Sequence, residues 1–175
     1  MRFIPIAAAL ALAACAPPAD TPDGPALMTV FHEGGEVEAA GGLFDRYELS
    51  GEGEGVTAAD LAALPASEIE TGYPMGAPAQ SWSGPRLSAL LADLDAPGAG
   101  ARLTAIDGYQ VEVTAEEIAQ YEPILATHRD GEPLALGGLG PVMLVWPRDT
   151  EADLADMNDD RWPWGVFAVE VLADG

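Results

Sequence analysis

The sequence contains no lysine, and its seven basic residues are all arginines, against 29 acidic residues. The formal net charge is −22, and removal of an N-terminal segment that includes Arg2 would make it 6 − 29 = −23. Such a charge repels nucleic acid and anionic lipid head groups, so we expect neither as a partner. The acidic residues are scattered rather than grouped, which is typical of a solvating surface and not of a binding tail.

Cysteine is nearly absent, since Cys15 is the only one. The rest of the chain can therefore form no internal disulfide, no cysteine-ligated zinc site and no thiolate nucleophile. A domain without these supports must be stabilised by its hydrophobic core. Residues 26–175 are enough to form one such core, and nothing in the sequence indicates a second.

The apolar run at the N-terminus, residues 3–14, is too short to span a membrane, since a span needs about 20 residues. It ends in Leu-Ala-Ala-Cys at positions 12–15, which resembles the lipobox of bacterial lipoproteins. We therefore predict a signal peptide at 1–14, a lipid on Cys15, a flexible tether at 15–25 and a folded domain at 26–175. The protein would then face the periplasm of a bacterial envelope, anchored by its lipid. An ordinary secretory signal with an unrelated cysteine is the alternative.

The hydrophobic pattern predicts many short strands and three short helices, which together make a mixed α+β domain. Two helix starts have the capping-box spacing, Thr57 with Asp60 and Thr114 with Glu117, and Pro65 should end the first helix. Strands are expected at residues 27–32, 43–49, 67–71, 102–106, 109–113, 123–128, 141–146 and 162–172.

A loop rich in Gly, Pro and Ala, between the predicted strand at 67–71 and a Leu-rich helix, is the first candidate site. It contains Tyr73, Met75 and Trp82. Ser83 is expected to cap the following helix and Pro85 to lie in its first turn. The alternative is a surface loop whose Trp82 only covers the helix.

No residue pattern predicts catalysis or a metal site. Neither His32 nor His128 lies in a motif, residues 156–160 do not fit an EF-hand, and no phosphate-binding loop is present. We therefore predict no catalytic and no metal-binding residue.

The ordered series of short motifs resembles the oxidoreductase molybdopterin-binding domain of the sulfite oxidase family. It covers almost all of residues 26–172, and it comprises Leu61 to Pro65, Thr71 with Pro74, Trp82 to Pro85, Asp107 to Tyr109, Ile124 to Ala126, Asp130 to Leu134, Gly140-Pro141, Trp146-Pro147 and Trp164. The resemblance implies a single α+β, mixed-sheet domain of the sulfite oxidase molybdopterin-binding type.

Two departures from that family bear on function. Its catalytic members bind molybdenum through a cysteine in or near the Gly-Pro-Ala loop, and this loop has none. Basic residues that help to hold the cofactor phosphate are replaced by Leu-Gly-Gly-Leu at 136–139. We therefore expect no molybdopterin. The chain is more similar to periplasmic pterin-binding signalling proteins, which act on a membrane sensor that makes or degrades cyclic di-GMP.

That similarity implies a free reduced pterin, or a like planar heterocycle, bound between the loop at 71–83, the turn at 107–109 and the Gly-rich segment before Pro141. The ligand-binding residues expected from it are Thr71, Tyr73, Met75, Trp82, Asp107 and Tyr109. Aromatic and thioether side chains would form the wall, and Asp107 would bind the polar edge. The alternatives are a molybdopterin-dependent oxidoreductase and an envelope lipoprotein that acts only through protein contacts.

Overall fold

The computed structural model describes residues 26–32, 43–47, 49 and 53–172. The predicted signal peptide, tether and Cys15 lie outside these residues. Within the described ranges, eleven strands and four α-helices follow one another in the order β1 (Ala26–His32), α1 (Leu43–Arg46), β2 (Gly53–Thr57), α2 (Ala58–Ala63), β3 (Ala66–Gly72), β4 (Ala79–Pro85), α3 (Leu87–Asp93), β5 (Gly100–Ala105), β6 (Gln110–Val113), α4 (Ala115–Tyr121), β7 (Ile124–Ala126), β8 (His128–Arg129), β9 (Glu132–Pro133), β10 (Met143–Val145) and β11 (Val166–Leu172).

These strands form three sheets, of which one is mixed and two are antiparallel. A five-stranded sheet has the order β2-β1-β11-β5-β6, in which only β1 and β11 are parallel. A four-stranded antiparallel sheet has the order β3-β4-β8-β9, and β7 pairs with β10. Short helices beside one mixed and two antiparallel sheets confirm the predicted α+β class.

Local sequence signals place two helices. Thr57 accepts a hydrogen bond from the Asp60 amide, and Asp60 accepts one from the Thr57 amide, so the predicted capping box begins α2. Thr114 and Glu117 form the same box before α4. Each box satisfies backbone donors that would otherwise lack partners, which fixes where the helix starts.

The local predictions for two segments are wrong. Among the described residues of the predicted strand at 43–49, Leu43–Arg46 form the helical turn α1 instead, which Tyr47 N closes by donating to Leu43 O at 3.0 Å. Ser83 does not cap α3 and Pro85 does not lie in its first turn, because β4 continues through Pro85 and the cap position is Arg86, with no side-chain cap. Pairing of β4 with β3 and β8 uses the backbone at Ser83, so tertiary structure overrides the capping signal.

The main hydrophobic core lies among the three sheets, and a smaller apolar cluster around Phe31 and Ala168 is separate from it. The largest fully buried side chains of the main core include Trp82, Trp146 and Trp162. Burial alternates along β6, where Val111 and Val113 face inward and Gln110 and Glu112 outward, as a strand with one wet face requires. The domain is therefore stabilised by apolar burial, as the absence of disulfides indicated.

Candidate functional site

A cleft lined by aromatic rings and carboxylates lies where three distant segments meet, and we call it the acidic aromatic cleft. Its volume is about 240 Å³. Its lining consists of Tyr73, Ala105, Asp107, Tyr109, Asp159, Asp160, Trp162, Pro163 and Trp164. Four flat rings and three carboxylates in so small a space suit a flat ligand with hydrogen-bond donors.

Each wall is placed by a different element. Tyr73 follows the end of β3, and the turn from Asp107 to Tyr109 joins β5 to β6. Asp107 Oδ1 accepts a hydrogen bond from Tyr109 N at 3.0 Å, which fixes this turn. Gly108 has a φ of +90°, and a Cβ there would overlap the Tyr47 ring, so glycine is required. The third wall, residues 159–164, leads into β11.

Arg148 ties the first and third walls together from inside the protein, where it is only 4% exposed. Its Nη1 donates to Asp159 Oδ1 at 2.8 Å and to Met157 O at 3.0 Å, and its Nη2 donates to Gly72 O at 2.5 Å. Charge-assisted bonds of this kind are stronger than neutral ones. One buried guanidinium thus holds the backbone before Tyr73 against the segment that carries Asp159.

A second pair of bonds completes this network. Asp159 accepts from Met75 N at 2.9 and 3.0 Å, and Asp149 Oδ2 accepts from Gly72 N at 2.9 Å. A Cβ at Gly72 would overlap the carbonyl oxygen of Ala77, so the loop folds back tightly there. The position of Tyr73 is therefore fixed from both sides.

These surroundings shift two pKa values in opposite directions. Burial acts to raise the pKa of Asp159, but the hydrogen bonds from Arg148 and Met75 and the charge of Arg148 outweigh it, and the pKa is lowered. Burial and the charge of Asp159 raise the pKa of the Tyr73 phenol. Near neutral pH the cleft therefore presents an ionised Asp159 beside an uncharged Tyr73.

The aromatic rings are packed against one another. Tyr73 stacks on Trp162 with ring centroids 5.5 Å apart and an angle of 25° between the planes. The guanidinium of Arg148 lies 4.7 Å from the Trp162 ring centroid. The Nε1 of Trp162 is buried and has no hydrogen-bond partner in the described protein, which is unusual for a buried donor.

The structure brings together three of the six predicted ligand-binding residues, Tyr73, Asp107 and Tyr109. Tyr109 is 47% exposed, and its hydroxyl donates to Asp160 O at 3.0 Å. Asp107 uses only Oδ1 within the described protein, so Oδ2 is available to a ligand. The other two rings of the cleft, Trp162 and Trp164, were not among the predicted ligand-binding residues.

The other three predicted residues do not line the cleft. Thr71 and Trp82 are fully buried, and Trp82 Nε1 donates to Thr71 O at 3.0 Å, so both are core residues and present no surface to a ligand there. The Met75 side chain is 48% exposed outside the cleft, and its backbone amide binds Asp159. The predicted loop is in fact a hairpin, whose strands bury Trp82.

The third wall also differs from the expected one. Residues 159–164 occupy it, whereas the Gly-rich segment lies behind them, with Leu139 O accepting from Gly165 N at 3.0 Å. The sequence analysis missed Arg148, Asp159 and Trp162. A lone arginine and an acidic stretch carry no local signal, because their roles depend on partners that are distant in sequence.

A shallower hollow of about 440 Å³ adjoins the cleft and shares Tyr109 and Asp160 with it. Arg161 lies there and is paired with Glu117, Nη2 to Oε1, at 2.6 Å. A ligand with a short side chain could extend from the cleft over Tyr109 into this hollow.

Molybdopterin does not fit the cleft. The described lining includes no Cys, His, Lys or Arg, so it offers neither a thiolate for molybdenum nor a cation for the cofactor phosphate. Three carboxylates would repel that phosphate, and the volume lies below the range usual for larger ligands, about 300–1,000 Å³. Among the described residues, no group of three His, Cys, Asp or Glu is placed to hold a metal ion. None of the described helices is long and apolar enough to span a membrane.

Comparison with models of protein families gives no match, and neither does comparison with curated proteins. The structure is similar to the crystal structure of the sulfane dehydrogenase SoxCD from Paracoccus pantotrophus, with a TM-score of 0.54 and 17% sequence identity. The match covers 83% of this chain and 37% of that chain, so the present chain spans little more than a third of that protein's length. This likeness shows the fold alone, and the chain has a sulfite oxidase-type fold.

Proposed function

We propose that the chain is a non-catalytic envelope protein that binds a reduced pterin, or a similar planar heterocycle, in the acidic aromatic cleft. The observation that carries this proposal is that Tyr73, Tyr109 and Trp164 line one cleft with Asp107, whose Oδ2 has no hydrogen-bond partner within the described residues. A pterin is a flat ring with a row of donors on one edge. Stacking on the rings and hydrogen bonding of that edge to Asp107 use both features.

The charge of the cleft favours a ligand without phosphate. Asp107, Asp159 and Asp160 line it, and the whole chain carries a net charge of −22. An anionic ligand would meet repulsion at short and long range. A buried stacked ring with one or two edge hydrogen bonds commonly reaches micromolar affinity, about −8 kcal/mol.

The proposed role is to report ligand binding to a membrane sensor from a lipid anchor on Cys15. Tyr109 and Trp164 are part of the cleft and are 47% and 36% exposed, so a bound ligand and a partner protein could contact the same side chains. Ligand changes partner binding only if the free domain and the complex bind it with different affinities. The signalling proposal therefore predicts a measurable difference in ligand affinity between the free domain and its complex with the sensor.

Calorimetric titration with tetrahydropterins tests the ligand, using the full chain with Cys15→Ser to avoid lipid. We expect micromolar binding that Asp107→Ala and Tyr109→Ala weaken about tenfold or more, which is 1.4 kcal/mol. Asp93→Ala, an exposed aspartate outside the cleft, is the matched control. No heat with any pterin, or full affinity in both cleft variants, would contradict the site.

Two further outcomes would replace the proposal. Binding that requires a phosphate-bearing pterin, or molybdenum near one atom per protein in material from the native host, would indicate a molybdopterin enzyme. Tight binding of tetramethylammonium with no binding of pterins would instead indicate an aromatic cage for an organic cation.

Fractionation tests the anchor. Wild-type protein should be processed at Cys15 and found with membranes, and Cys15→Ser should block that processing, because acyl chains contribute about 0.8 kcal/mol per buried CH₂. Identical migration and fractionation of the two proteins would show that the lipobox interpretation is wrong.

A further inference from the structure

A second cavity, which we call the apolar groove, lies between α2, the ends of β3 and β4, and the β8–β9 hairpin. Its volume is about 790 Å³, within the range usual for sites that bind small molecules. Five leucines account for most of its large side chains, at positions 27, 61, 64, 134 and 136. It shares no lining residue with the acidic aromatic cleft.

Charged residues are excluded from the groove. Asp, Glu, Lys and Arg make up 21% of the chain, yet none of the 16 residues that line the groove is one of them. A random sample of that size would contain about three. In a protein with 29 acidic residues, a charge-free hollow fits an uncharged occupant, and the surrounding negative field disfavours an anionic one.

The apolar surface is recessed rather than spread on a flat face. Among the described large apolar side chains with substantial exposure, Leu136, at 79%, is the one that belongs to the groove. Leu61 is only 2% exposed, and Leu64 and Leu134 are half-buried. A stable protein partner needs about 800 Å² of surface on each side, whereas a concave wall with one exposed leucine at its rim suits a small molecule.

The polar side chains of the groove form a single spot. Ser83 and His128 are register partners, Thr127 N donates to Ser83 O at 2.9 Å, and Thr127 Oγ1 lies 2.9 Å from His128 Nδ1. Neither Ser83 Oγ nor His128 Nε2 has a hydrogen-bond partner within the described residues. One hydroxyl or carbonyl group of a ligand could bind there while its apolar part contacts the leucines.

From this arrangement we propose that the apolar groove binds a diffusible, uncharged amphiphile, with an alkyl or acyl chain along the leucines and one polar group at Ser83 and His128. The site is independent of the pterin proposal. It gives the domain a second binding activity, directed at apolar molecules of the envelope.

Helix α2 offers a matched pair of variants. Ala58, Leu61 and Ala62 line the groove and lie on one helix face, as spacings of three and four residues require, whereas Ala63 is exposed and does not line it. Ala62→Phe should fill the groove, and Ala63→Phe should add the same ring outside it. Urea denaturation of both shows whether each is folded, so a loss of binding is separable from a loss of structure.

The test uses the full chain with Cys15→Ser and the neutral fluorescent probe N-phenyl-1-naphthylamine. We expect saturable binding, weakened about tenfold or more by Ala62→Phe and changed less than about twofold by Ala63→Phe. Dodecanol should displace the probe at lower concentration than dodecanoate does.

Three results would overturn the proposal. These are probe binding that does not saturate, equal affinities in the two phenylalanine variants, and stronger displacement by dodecanoate. A sedimentation measurement that finds a dimer which excludes the probe, and which Ala62→Phe dissociates, would likewise overturn it in favour of a second copy of the chain.

Discussion

The acidic aromatic cleft and the apolar groove lie at opposite ends of the same hairpin. Ala66 and Pro85, which pair at one end, line the groove, and Tyr73 follows the other end, where Gly72 pairs with Ala79. Seven residues of strand separate these ends by about 20 Å. One supersecondary unit thus serves two cavities of opposite chemistry.

The two cavities are held open in different ways. The cleft is shaped by directional hydrogen bonds from Arg148, whose acceptors are spread over residues 72, 157 and 159. At the groove, the wall at Gly84 depends on close approach to the backbone behind it, because a Cβ at Gly84 would overlap the carbonyl oxygen of Leu125. The cleft depends on a few hydrogen bonds, so a single substitution of a hydrogen-bonding residue outside its lining should change its shape. The groove is apolar, so its ligand affinity should respond mainly to substitutions that change side-chain volume.

The largest expected effect comes from Arg148→Met, which keeps apolar volume but removes the buried guanidinium. We expect a loss of about 3 kcal/mol in the free energy of unfolding, because Gly72 O, Met157 O and Asp159 lose a charged donor. Urea denaturation measures it. Arg129→Met, at an exposed arginine that lies over the Trp82 ring, is the control and should cost about 1 kcal/mol or less. Equal losses of unfolding free energy in the two variants would show that the hydrogen bonds of Arg148 do not stabilise the domain more than an exposed arginine does.

Trp82→Phe tests whether the shared hairpin is held by more than apolar packing. The ring stays apolar, but Thr71 O loses its 3.0 Å bond from Nε1, so we expect a loss of about 1–2 kcal/mol plus a small cavity cost. Trp164→Phe removes the N–H of a 36% exposed residue and should change stability by less than about 0.5 kcal/mol. Thermal or urea unfolding compares them, and similar values would contradict the core role of Trp82.

Asp159→Asn should cost about 1 kcal/mol at neutral pH, because the pair with Arg148 is partly exposed. The pH dependence of this stability loss tests the Arg148–Asp159 pair more directly. The native pKa of Asp159 is below the reference value of 3.8, so its contribution is present above that pH and is lost as pH falls through the native pKa.

Unfolding free energies measured between pH 6 and pH 2 should therefore fall less steeply below pH 3.8 for Asp159→Asn than for wild type. Asp153→Asn, at an exposed aspartate, provides the control slope. A variant at Asp159 that retained the full wild-type acid dependence would show that the Arg148 network does not set the charge of the cleft.

Thr71→Val has the smallest expected effect, and it tests whether Thr71 is a core residue or a ligand-binding residue. Thr71 Oγ1 is buried without a hydrogen-bond partner in the described protein, so an isosteric valine should leave stability unchanged or raise it by up to about 1 kcal/mol. Pterin affinity should not change, since Thr71 does not line the cleft. Weaker binding would restore the ligand role that the sequence suggested.

Structural features that depend on a few neighbouring residues were predicted correctly from the sequence. The capping boxes at Thr57 and Thr114 and the turn at Asp107-Gly108 depend on contacts between residues two or three apart. The series of short motifs also predicted the fold class. Ser83 had an equally good local signal for a helix cap, but strand pairing with distant residues removed it.

The sequence by itself determined a strongly acidic, disulfide-free α+β domain and three of the residues that line its cleft, Tyr73, Asp107 and Tyr109. Tertiary structure alone decided that Trp82 belongs to the core, that Arg148 joins Gly72 to Asp159, and that residues 159–164 form the third wall. Tertiary structure also decided that five leucines distant in sequence line the apolar groove. The reason is that hydrogen-bond partners 76 residues apart and unfilled volume between elements arise only when the chain is packed.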